Sequence, residues 1–465
     1  MKTKINKHVL IILLIIVFFA FFSRFFLITD RPLHHDEGVN FYFTQQILKS
    51  GTFSYDPNNY HGPLYFFSLF LTHFIFGTNE LTMRLPAVIF GLTLIFLPVF
   101  FIKNKKIALT STFFLLVSPT LLYYSRYSIH ESLLIFLSTL LIFLTYKILS
   151  RKNLILIPYW LITVSLLLTT KETSLLPIGV SVIILLTHYK QVSLVQSKKV
   201  IPYIFLALLL SALLYISLYS SFFTHWQGIT DSFQGFLPWT KRGFSEIGHQ
   251  KPFFYYIRII LKFEFPLLLL ALLAIKDIKK DLLTRVFSIW FILSLVVYSL
   301  ISYKVPWLII NVTVPMAILA AFGIQKITHR YFYSFVFVLS GAYLGFFAIQ
   351  LNFVDPWQEK NPLAYVHTFG DIFNLNKMIL DATDINSKIL IVSDEYWPLP
   401  FYLRERKLEY LTHNIDLKFE NYKNYDAFII NKKAFDKIKP PNNANFQKFS
   451  LRSGVDLYAI IPETE

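Results

Sequence analysis

Long apolar stretches alternate with short polar segments over the first 351 residues. Several of these stretches approach the ~20 residues that an α-helix needs to cross a hydrocarbon core. The pattern predicts 11 membrane-crossing helices, at about 8–28, 82–102, 107–124, 128–149, 154–170, 173–188, 200–220, 258–275, 286–302, 306–325 and 332–351. The stretch Pro63–Phe76 has only 14 residues, which favours a juxtamembrane helix, and Gly38–Lys49 is predicted as another.

The pattern changes after residue 351, where two Asx-Pro dipeptides are typical of a linker. Helical spacing over Pro362–Leu380 is followed by strand-like segments. These segments are Lys388–Ser393, Lys407–Leu411, Tyr425–Asn431 and Asp456–Ile461. We therefore expect a transmembrane domain, residues 1–351, and a small α/β domain, residues 352–465. Asp394-Glu395 is predicted as a turn at the end of a strand.

The distribution of charge predicts the orientation in the membrane. Only 15% of the residues are charged, against about 25% in soluble proteins. Residues 1–351 hold 30 Lys and Arg against 12 Asp and Glu, whereas residues 352–465 hold 14 against 16. With a cytoplasmic N-terminus, the inner loops, the three N-terminal lysines and Lys147 together hold 18 of those 30 basic residues and two of those 12 acidic ones. The positive-inside rule then places the C-terminal domain and the loops 29–81 and 221–257 outside the cytoplasm.

This reading also limits the class of protein. The net charge of +16 is a topology signal between apolar segments, so we expect no nucleic-acid partner. The first apolar run lacks a small-residue cleavage site before Arg24, which favours an uncleaved first helix over a signal peptide. Cysteine is absent, which excludes disulfides and thiolate metal sites.

Six polar motifs fall on the same, non-cytoplasmic side of the predicted bundle. They are His34–Glu37, Tyr60–Pro63, Arg126–Glu131, Lys171-Glu172, His249–Tyr256 and Tyr303–Trp307. Acids, bases and histidines gathered on one face of a membrane bundle predict a functional site. The sequence has no Walker A motif and no Gly-rich dinucleotide motif. Outer-face cations with a carboxylate pair then indicate a lipid-phosphate substrate.

The carboxylate pair of the first motif has three interpretations. In a shielded cleft, one of Asp36 and Glu37 serves as a general base while the other is held by hydrogen bonds. Alternatively, His34, His35, Asp36 and Glu37 together bind a divalent metal ion. In the structural alternative, Asp36 is the N-cap of a helix and Glu37 lies in its first turn.

The cationic motifs have similar alternatives. Arg126 offers a planar fork for phosphate oxygens, or it pairs with Glu131 across a turn. His61 lies where it could reach a phosphate. Lys171-Glu172 is either a phosphate site or an exposed turn. Lys304 either binds phosphate or extends to the membrane interface, with Trp307 in the aromatic belt.

At these residues the chain resembles the GT-C membrane glycosyltransferases, which use polyprenyl-phosphate-linked sugars. They include the protein O-mannosyltransferases (glycosyltransferase family 39) and the lipid A aminoarabinose transferases. The acidic motif His34–Glu37 after the first helix is the shared mark. Further matching segments are His61–Tyr65, Gly77–Glu80, Arg84–Pro86 and Ser125-Arg126 with Glu131.

A closer resemblance is to the GT-C-like membrane proteins called flippase-activity-associated. It rests on Asp36-Glu37, Tyr60–Pro63, Lys171-Glu172-Thr173 and Lys304–Trp307. It covers roughly residues 25–310 and, more loosely, the C-terminal domain.

The resemblance implies a GT-C fold and an inverting transferase of hexosyl or pentosyl units at the plasma membrane. The donor would be a polyprenyl-phosphate-linked sugar, and the acceptor a hydroxyl of a protein, a lipid or a glycan. The alternative is a lipid-linked oligosaccharide flippase or a flippase-associated protein. The C-terminal domain is expected to cap the outer opening and to help select the acceptor.

The resemblance also implies roles for particular residues. Asp36 would be the catalytic base, with Glu37 beside it. The substrate- and phosphate-binding candidates are His61, Arg126, Glu131, Lys171, Glu172, His249 and Lys304. The resemblance does not decide whether a divalent metal ion is bound; the candidate ligands are His34, His35, Asp36 and Glu37.

Overall fold

A computed structural model describes residues 7–59, 61–151, 154–188, 197–235, 237, 240–241, 249–411, 424–438 and 444–462. Most of the described chain is helical. The helices up to the start of the C-terminal region are α1 Lys7–Phe25, α2 His35–Ser50, α3 Pro63–Phe76, α4 Glu80–Phe101, α5 Lys105–Val117, α6 Pro119–Tyr124, α7 Glu131–Arg151, α8 Ile157–Leu168, α9 Leu175–Thr187, α10 Ser197–Tyr219, α11 Gln227–Gln234, α12 Tyr255–Phe263, α13 Phe265–Ile275, α14 Leu282–Leu300, α15 Ile310–Ile324 and α16 Arg330–Ile349.

Seven helical segments among the described residues are long and apolar enough to cross a membrane. They are Lys7–Phe25, Glu80–Phe101, Glu131–Ser150, Val200–Tyr219, Leu282–Leu300, Pro306–Ile324 and Arg330–Val354. Shorter apolar helices occupy Pro63–Phe76, Leu154–Leu168, Glu172–Thr187 and Phe265–Ile275. The chain is therefore a multi-pass membrane protein, as its sequence predicts.

Two of the predicted spans are not single helices. The span 107–124 is divided at Ser118 into α5 and α6, because Pro119 follows and disfavours helical backbone at the residue before it. Ser118 is extended, with φ −61° and ψ 122°, and its hydroxyl caps α6 by accepting from the Leu121 N–H. The span 258–275 is divided at Glu264 into α12 and α13, and Pro266 lies in the first turn of α13.

Close helix packing is visible between α13 and α15. A Cβ on Gly323 of α15 would collide with the Leu270 carbonyl group of α13, so glycine is needed there. Ala271, Ala274 and Ala320 are also buried. Small residues allow helix backbones to approach closely where lipid supplies no hydrophobic force between helices.

The chain divides into two compact units. Residues Met1–Ile28 and Gln46–Val354 form the transmembrane unit, and residues Thr29–Gln45 and Asp355–Glu465 form the sheet unit. Residues 29–45 of the predicted first external loop, which carry His34–Glu37, thus belong to the sheet unit.

The sheet unit contains five strands in the order β2-β1-β3-β5-β4. The strands are β1 Lys388–Val392, β2 Lys407–Leu411, β3 Ala427–Asn431, β4 Asn445–Arg452 and β5 Val455–Ile461, and the helices that follow the linker are α17 Asp371–Ala382, α18 Leu399–Tyr402 and α19 Lys432–Ile438. β1 is parallel to β2 and β3, whereas β5 is antiparallel to β3 and β4. Leu390, Phe428 and Ile460 form the buried core.

The sequence pattern located four of these strands correctly and missed β4, whose mixed polar residues hide its alternation. The helix predicted over Pro362–Leu380 begins only at Asp371. Val366 has φ 52°, a left-handed conformation that a helix cannot include. The Asn361 side chain also accepts from the Leu363 N–H, which favours a turn at this point.

Candidate functional site

Lys171 and Glu131 form a buried ion pair in the transmembrane unit. Their Nζ and Oε1 atoms are 2.5 Å apart, and both side chains are buried. Glu131 is the first residue of α7, and Lys171 lies in the turn after α8. The turn at Lys171-Glu172 is therefore buried, and its interpretation as an exposed turn is wrong. A pair with this geometry can hold its charges in an apolar setting only while both partners are present.

Backbone pairing joins the motif around His61 to the motif around Lys171. The two residues form an antiparallel bridge, and the Gly62 N–H donates to the Thr170 carbonyl group at 3.1 Å. A Cβ on Gly62 would collide with the Thr169 carbonyl group. Glycine therefore permits the close approach of two segments that are more than 100 residues apart in sequence. Tyr60 of this motif lies outside the described residues.

Glu172 is a buried carboxyl group beside this bridge. Its Oε1 accepts a long hydrogen bond of 3.5 Å from the Tyr55 hydroxyl, and its Oε2 lies 3.8 Å from His61 Nδ1. Burial raises the pKa of Glu172 to about 8, while its own backbone N–H and Lys171 oppose the shift. Glu172 is therefore mostly protonated at neutral pH and can donate a hydrogen bond as well as accept one.

His130 lies at the centre of the same cluster, although the sequence analysis did not assign it a role. Its ring centroid is 4.7 Å from that of His61, 4.8 Å from that of Tyr65 and 4.9 Å from that of Phe66. Burial, together with the charge of Lys171, lowers the pKa of His130 well below its usual range, so its imidazole is neutral. In the sequence, only its position next to Glu131 could have indicated that His130 belongs to the cluster. Nothing in the sequence indicated that Tyr55, the partner of Glu172, belongs to it.

Arg126 contacts the C-terminal end of α1. Its guanidinium group donates to the Ser23 carbonyl at 2.7 Å and to the Leu27 carbonyl at 3.0 Å, and it lies 4.5 Å from the Phe353 ring centre. A cation at this position complements the negative end of the helix dipole. Glu131, the partner that one interpretation of the sequence gave to Arg126, forms its ion pair with Lys171.

Lys304 and His249 are brought together by a second short backbone pairing. The Lys304 N–H donates to the His249 carbonyl at 3.0 Å, and Gln250 forms an antiparallel bridge with Tyr303. Lys304 is only 2% exposed, and its ammonium group donates to the Ile301 carbonyl. It does not extend to the surface, and burial lowers its pKa.

A contact between two tilted aromatic rings connects these clusters. The ring of Trp307, next to the Lys304 motif, lies 6.4 Å from the ring of Tyr127, which follows Arg126. Tyr127 is buried, and the half-buried Trp307 packs against it. Five of the six predicted motifs thus contribute residues to the contacts described here in the transmembrane unit.

The sixth motif lies in the sheet unit, where His34 caps α2. Its Nδ1 accepts from the Asp36 N–H at 3.0 Å, and the Glu37 carboxylate accepts from the His34 N–H at 2.9 Å. The pair resembles a capping box, with histidine in place of serine or threonine, except that the cap side chain accepts from the second and not the third helical N–H. The capping residue is therefore His34 and not Asp36, although Glu37 does lie in the first turn.

The two adjacent carboxylates have different environments. Glu37 is fully buried and bonded to the cap, whereas the Asp36 side chain is 38% exposed. Burial and the nearby ring of His367 lower the pKa of His34, which is therefore neutral. Its 4.0 Å approach to Asp36 is not an ion pair. Asp36 is the member of the pair that a substrate could reach.

The first motif is a poor fit for a metal ion. Both ring nitrogens of His34 are engaged, since Nε2 lies 2.7 Å from the Tyr365 carbonyl oxygen and Nδ1 accepts from Asp36. His35 Nδ1 accepts from Arg452 at 3.1 Å. The described residues contain no group of three or more His, Cys, Asp and Glu side chains placed to hold a metal.

Comparison with known proteins identifies the fold. No family model and no curated protein matches the chain. Among solved structures, ArnT from Cupriavidus metallidurans bound to undecaprenyl phosphate is similar, with a TM-score of 0.67 and 14% identity over 97% of this chain and 98% of that one. The apo state of ArnT from the same organism gives a TM-score of 0.65 and 13% identity, covering 97% of each chain. The GT-C-type membrane fold that the sequence resemblance implied is therefore confirmed: this chain has the fold of ArnT.

Proposed function

We propose that the chain is an integral membrane glycosyltransferase that uses a polyprenyl-phosphate-linked sugar. The acceptor is a hydroxyl of a protein, a lipid or a glycan, on the non-cytoplasmic face of the plasma membrane. The fold supports the proposal, because a solved structure of the same fold holds undecaprenyl phosphate. The excess of basic residues in the predicted inner loops supports the orientation.

The observation that carries the proposal is the difference between Asp36 and Glu37. Two adjacent carboxyl groups in unlike environments can take different roles in one reaction. Glu37 is buried and fixes the first turn of α2, while Asp36 is partly exposed. The sequence resemblance implies the same assignment, with Asp36 as catalytic base.

Asp36 would act on the acceptor in a single displacement. Its carboxylate takes the proton of the acceptor hydroxyl as the oxygen bonds to the anomeric carbon of the sugar. The bond between that carbon and the phosphate oxygen breaks, and the polyprenyl phosphate leaves with the electron pair. Attack from the face opposite the leaving group inverts the anomeric carbon.

The buried cations of the transmembrane unit would serve the phosphate. Lys304 is the first choice, because a buried ammonium group favours an anion and can stabilise developing negative charge. Arg126 is fixed at the end of α1 and would contribute positive potential. The charge of Lys171 is balanced by Glu131, so Lys171 would contribute a hydrogen bond to the phosphate. His61, Glu172 and His249 would contribute hydrogen bonds to the donor.

Turnover of labelled donors by the purified full-length protein in nanodiscs tests the proposal. The probes are polyprenyl-phosphate-linked hexoses and pentoses, radiolabelled in the sugar. We expect a new glycosidic bond with one of them, and we expect Asp36→Asn to slow transfer by about 10²- to 10⁴-fold. Asp384→Asn, at an exposed position of the sheet unit, is the matched control. Full activity of a folded Asp36→Asn variant would remove Asp36 from the mechanism.

One observation favours the second candidate, a lipid-linked oligosaccharide flippase or flippase-associated protein. Glu264 is fully buried at the break inside a predicted span, and polar groups within spans are typical of transport paths. The same labelled lipids distinguish the two. Translocation across a vesicle membrane without a new glycosidic bond would favour the flippase.

A further inference from the structure

Four aromatic rings form a continuous row in the sheet unit. The centroid distances are 5.9 Å from Tyr42 to Trp397, 5.1 Å from Trp397 to Tyr396 and 4.9 Å from Tyr396 to Tyr410. Tyr42 and Tyr410, at the two ends, are each 44% exposed, and the two rings between them are half-buried. We call these four residues the aromatic row.

The aromatic row lies where sheets of this type bind ligands. Tyr396 and Trp397 follow the carboxyl end of β1, and Tyr410 is the next-to-last residue of β2. The two strands are parallel neighbours, and β2 is at the edge of the sheet. The carboxyl ends of parallel strands are the usual ligand-binding edge of an open α/β sheet.

Packing fixes the rings in position before any ligand arrives. Gly38 lies one helical turn before Tyr42, and a Cβ on it would be 2.8 Å from the Pro398 Cα atom, so α2 packs directly on the loop after β1. Arg452 is buried, donates to the Trp397 carbonyl and lies 3.5 Å from Glu395 Oε2. Rigid tyrosine and tryptophan rings give a large contact area at a low entropic cost.

Two acidic residues lie beside the aromatic row. Asp394 and Glu395 are exposed on the loop that carries Tyr396 and Trp397. Carboxylates accept hydrogen bonds from hydroxyl groups. They also oppose contact with an anionic lipid surface, which attracts basic segments.

We propose that the aromatic row binds a saccharide. The apolar C–H face of a sugar ring would pack on the aromatic faces, and its hydroxyls would donate to Asp394 and Glu395. The row would thereby recognise the glycan part of an acceptor. That the saccharide belongs to an acceptor rests on the proposed function, whereas saccharide binding is inferred from the aromatic row itself.

Direct binding is the first test. The full-length protein in detergent micelles is applied to an array of immobilised neutral hexasaccharides. We expect binding to at least one of them, and a loss of roughly fivefold to tenfold in affinity for each of Tyr42→Ala and Tyr410→Ala. Tyr42→Phe and Tyr410→Phe keep the rings and should retain most of the affinity.

Phe446→Ala is the matched control, because it removes a 49% exposed ring from β4, the other edge of the same sheet. It should bind like the unchanged protein. No binding of any hexasaccharide, an equal loss in Phe446→Ala, or unchanged affinity in the Tyr42→Ala/Tyr410→Ala double variant would each overturn the proposal. The proposal would also be overturned if the unchanged protein bound anionic liposomes and no saccharide, and if the double variant lost that liposome binding.

Turnover separates this proposal from the proposed function. With donor and a saccharide acceptor, the double variant should show a raised KM for the acceptor, an unchanged kcat and an unchanged rate of donor hydrolysis by water. If the unchanged protein consumes no polyprenyl-phosphate-linked sugar, the proposed function fails, while array binding still decides the role of the aromatic row. A fall in donor hydrolysis in the double variant would overturn a role limited to the saccharide.

Discussion

Glu264 Oε1 accepts a hydrogen bond of 2.7 Å from Ser118 Oγ, so a carboxyl group at one helix break bonds to the capping residue of another. The same oxygen accepts from the hydroxyl group of Thr120 at 2.7 Å and from its N–H at 3.1 Å. The Thr120 hydroxyl also contacts Thr313 of α15 at 3.3 Å. A broken helix in lipid must satisfy its freed backbone groups, and here the Glu264 side chain accepts from the Thr120 N–H in the first turn of α6.

Replacement of Glu264 by alanine should therefore destabilise the transmembrane unit. Three donors would lose their acceptor inside the protein, at a cost on the order of 3 kcal/mol. Glu264→Gln retains a carbonyl oxygen and should lose less. The measurement is the thermal unfolding midpoint in detergent micelles, with the exposed Glu359→Ala as control. Equal midpoints for Glu264→Ala and Glu359→Ala would contradict the linking role.

Gly62 offers a test of the backbone pairing between the His61 and Lys171 motifs. Gly62→Ala should destabilise the protein by roughly 1–3 kcal/mol, because the new methyl group meets the Thr169 carbonyl and the two segments must separate. Gly179→Ala is the matched control, since no atom lies within 4 Å of a Cβ there and alanine favours a helix. Thermal unfolding of both variants is compared, and a neutral Gly62→Ala would show that the segments are not tightly paired.

Hydrophobic length and charge were sufficient to predict the membrane class and the approximate positions of most helices. Pro119 indicates a break at Ser118, but the residues on both sides are apolar, so the sequence pattern predicted one continuous span there. Glu264 was visible as an acid in an apolar run, although its partners at Ser118 and Thr120 are more than 140 residues away. Side-chain satisfaction across such distances is a tertiary property.

The candidate site shows the same division between local and tertiary information. The sequence resemblance selected His61 and Lys171, and the structure brings them together through a backbone bridge. The partner of Lys171 could not be predicted, because it depends on how α7 and α8 pack. Nor could the sequence predict that His34 and not Asp36 caps α2, since both residue types stand at the helix start.

The raised pKa of Glu172 predicts a pH-dependent stability. Between the ordinary value of 4.5 and about 8, the folded protein holds this proton more tightly than the unfolded chain does. The free energy of unfolding should therefore fall as the pH rises through this window, by at most about 1.4 kcal/mol per pH unit. In Glu172→Gln this contribution is absent, so its unfolding midpoint should change less between pH 5 and pH 8.

The exposed Glu359→Gln controls for the loss of a carboxylate and should follow the unchanged protein over the same range. Unfolding midpoints are measured at intervals of half a pH unit in one detergent and at constant ionic strength. If the unchanged protein and Glu172→Gln give parallel profiles, Glu172 does not hold a proton in the folded state.

The Lys171–Glu131 pair predicts strong coupling between two substitutions. Lys171→Met alone leaves the Glu131 carboxylate buried without this partner, which should cost about 3–5 kcal/mol. The double variant Lys171→Met/Glu131→Gln removes both charges and should be more stable than Lys171→Met. Unfolding by SDS titration in mixed micelles gives the coupling free energy from the four proteins. The surface pair Lys280–Asp277, whose lysine is 81% exposed, is the control and should show little coupling. Additive effects at Lys171 and Glu131 would mean that the pair contributes no more than a surface contact.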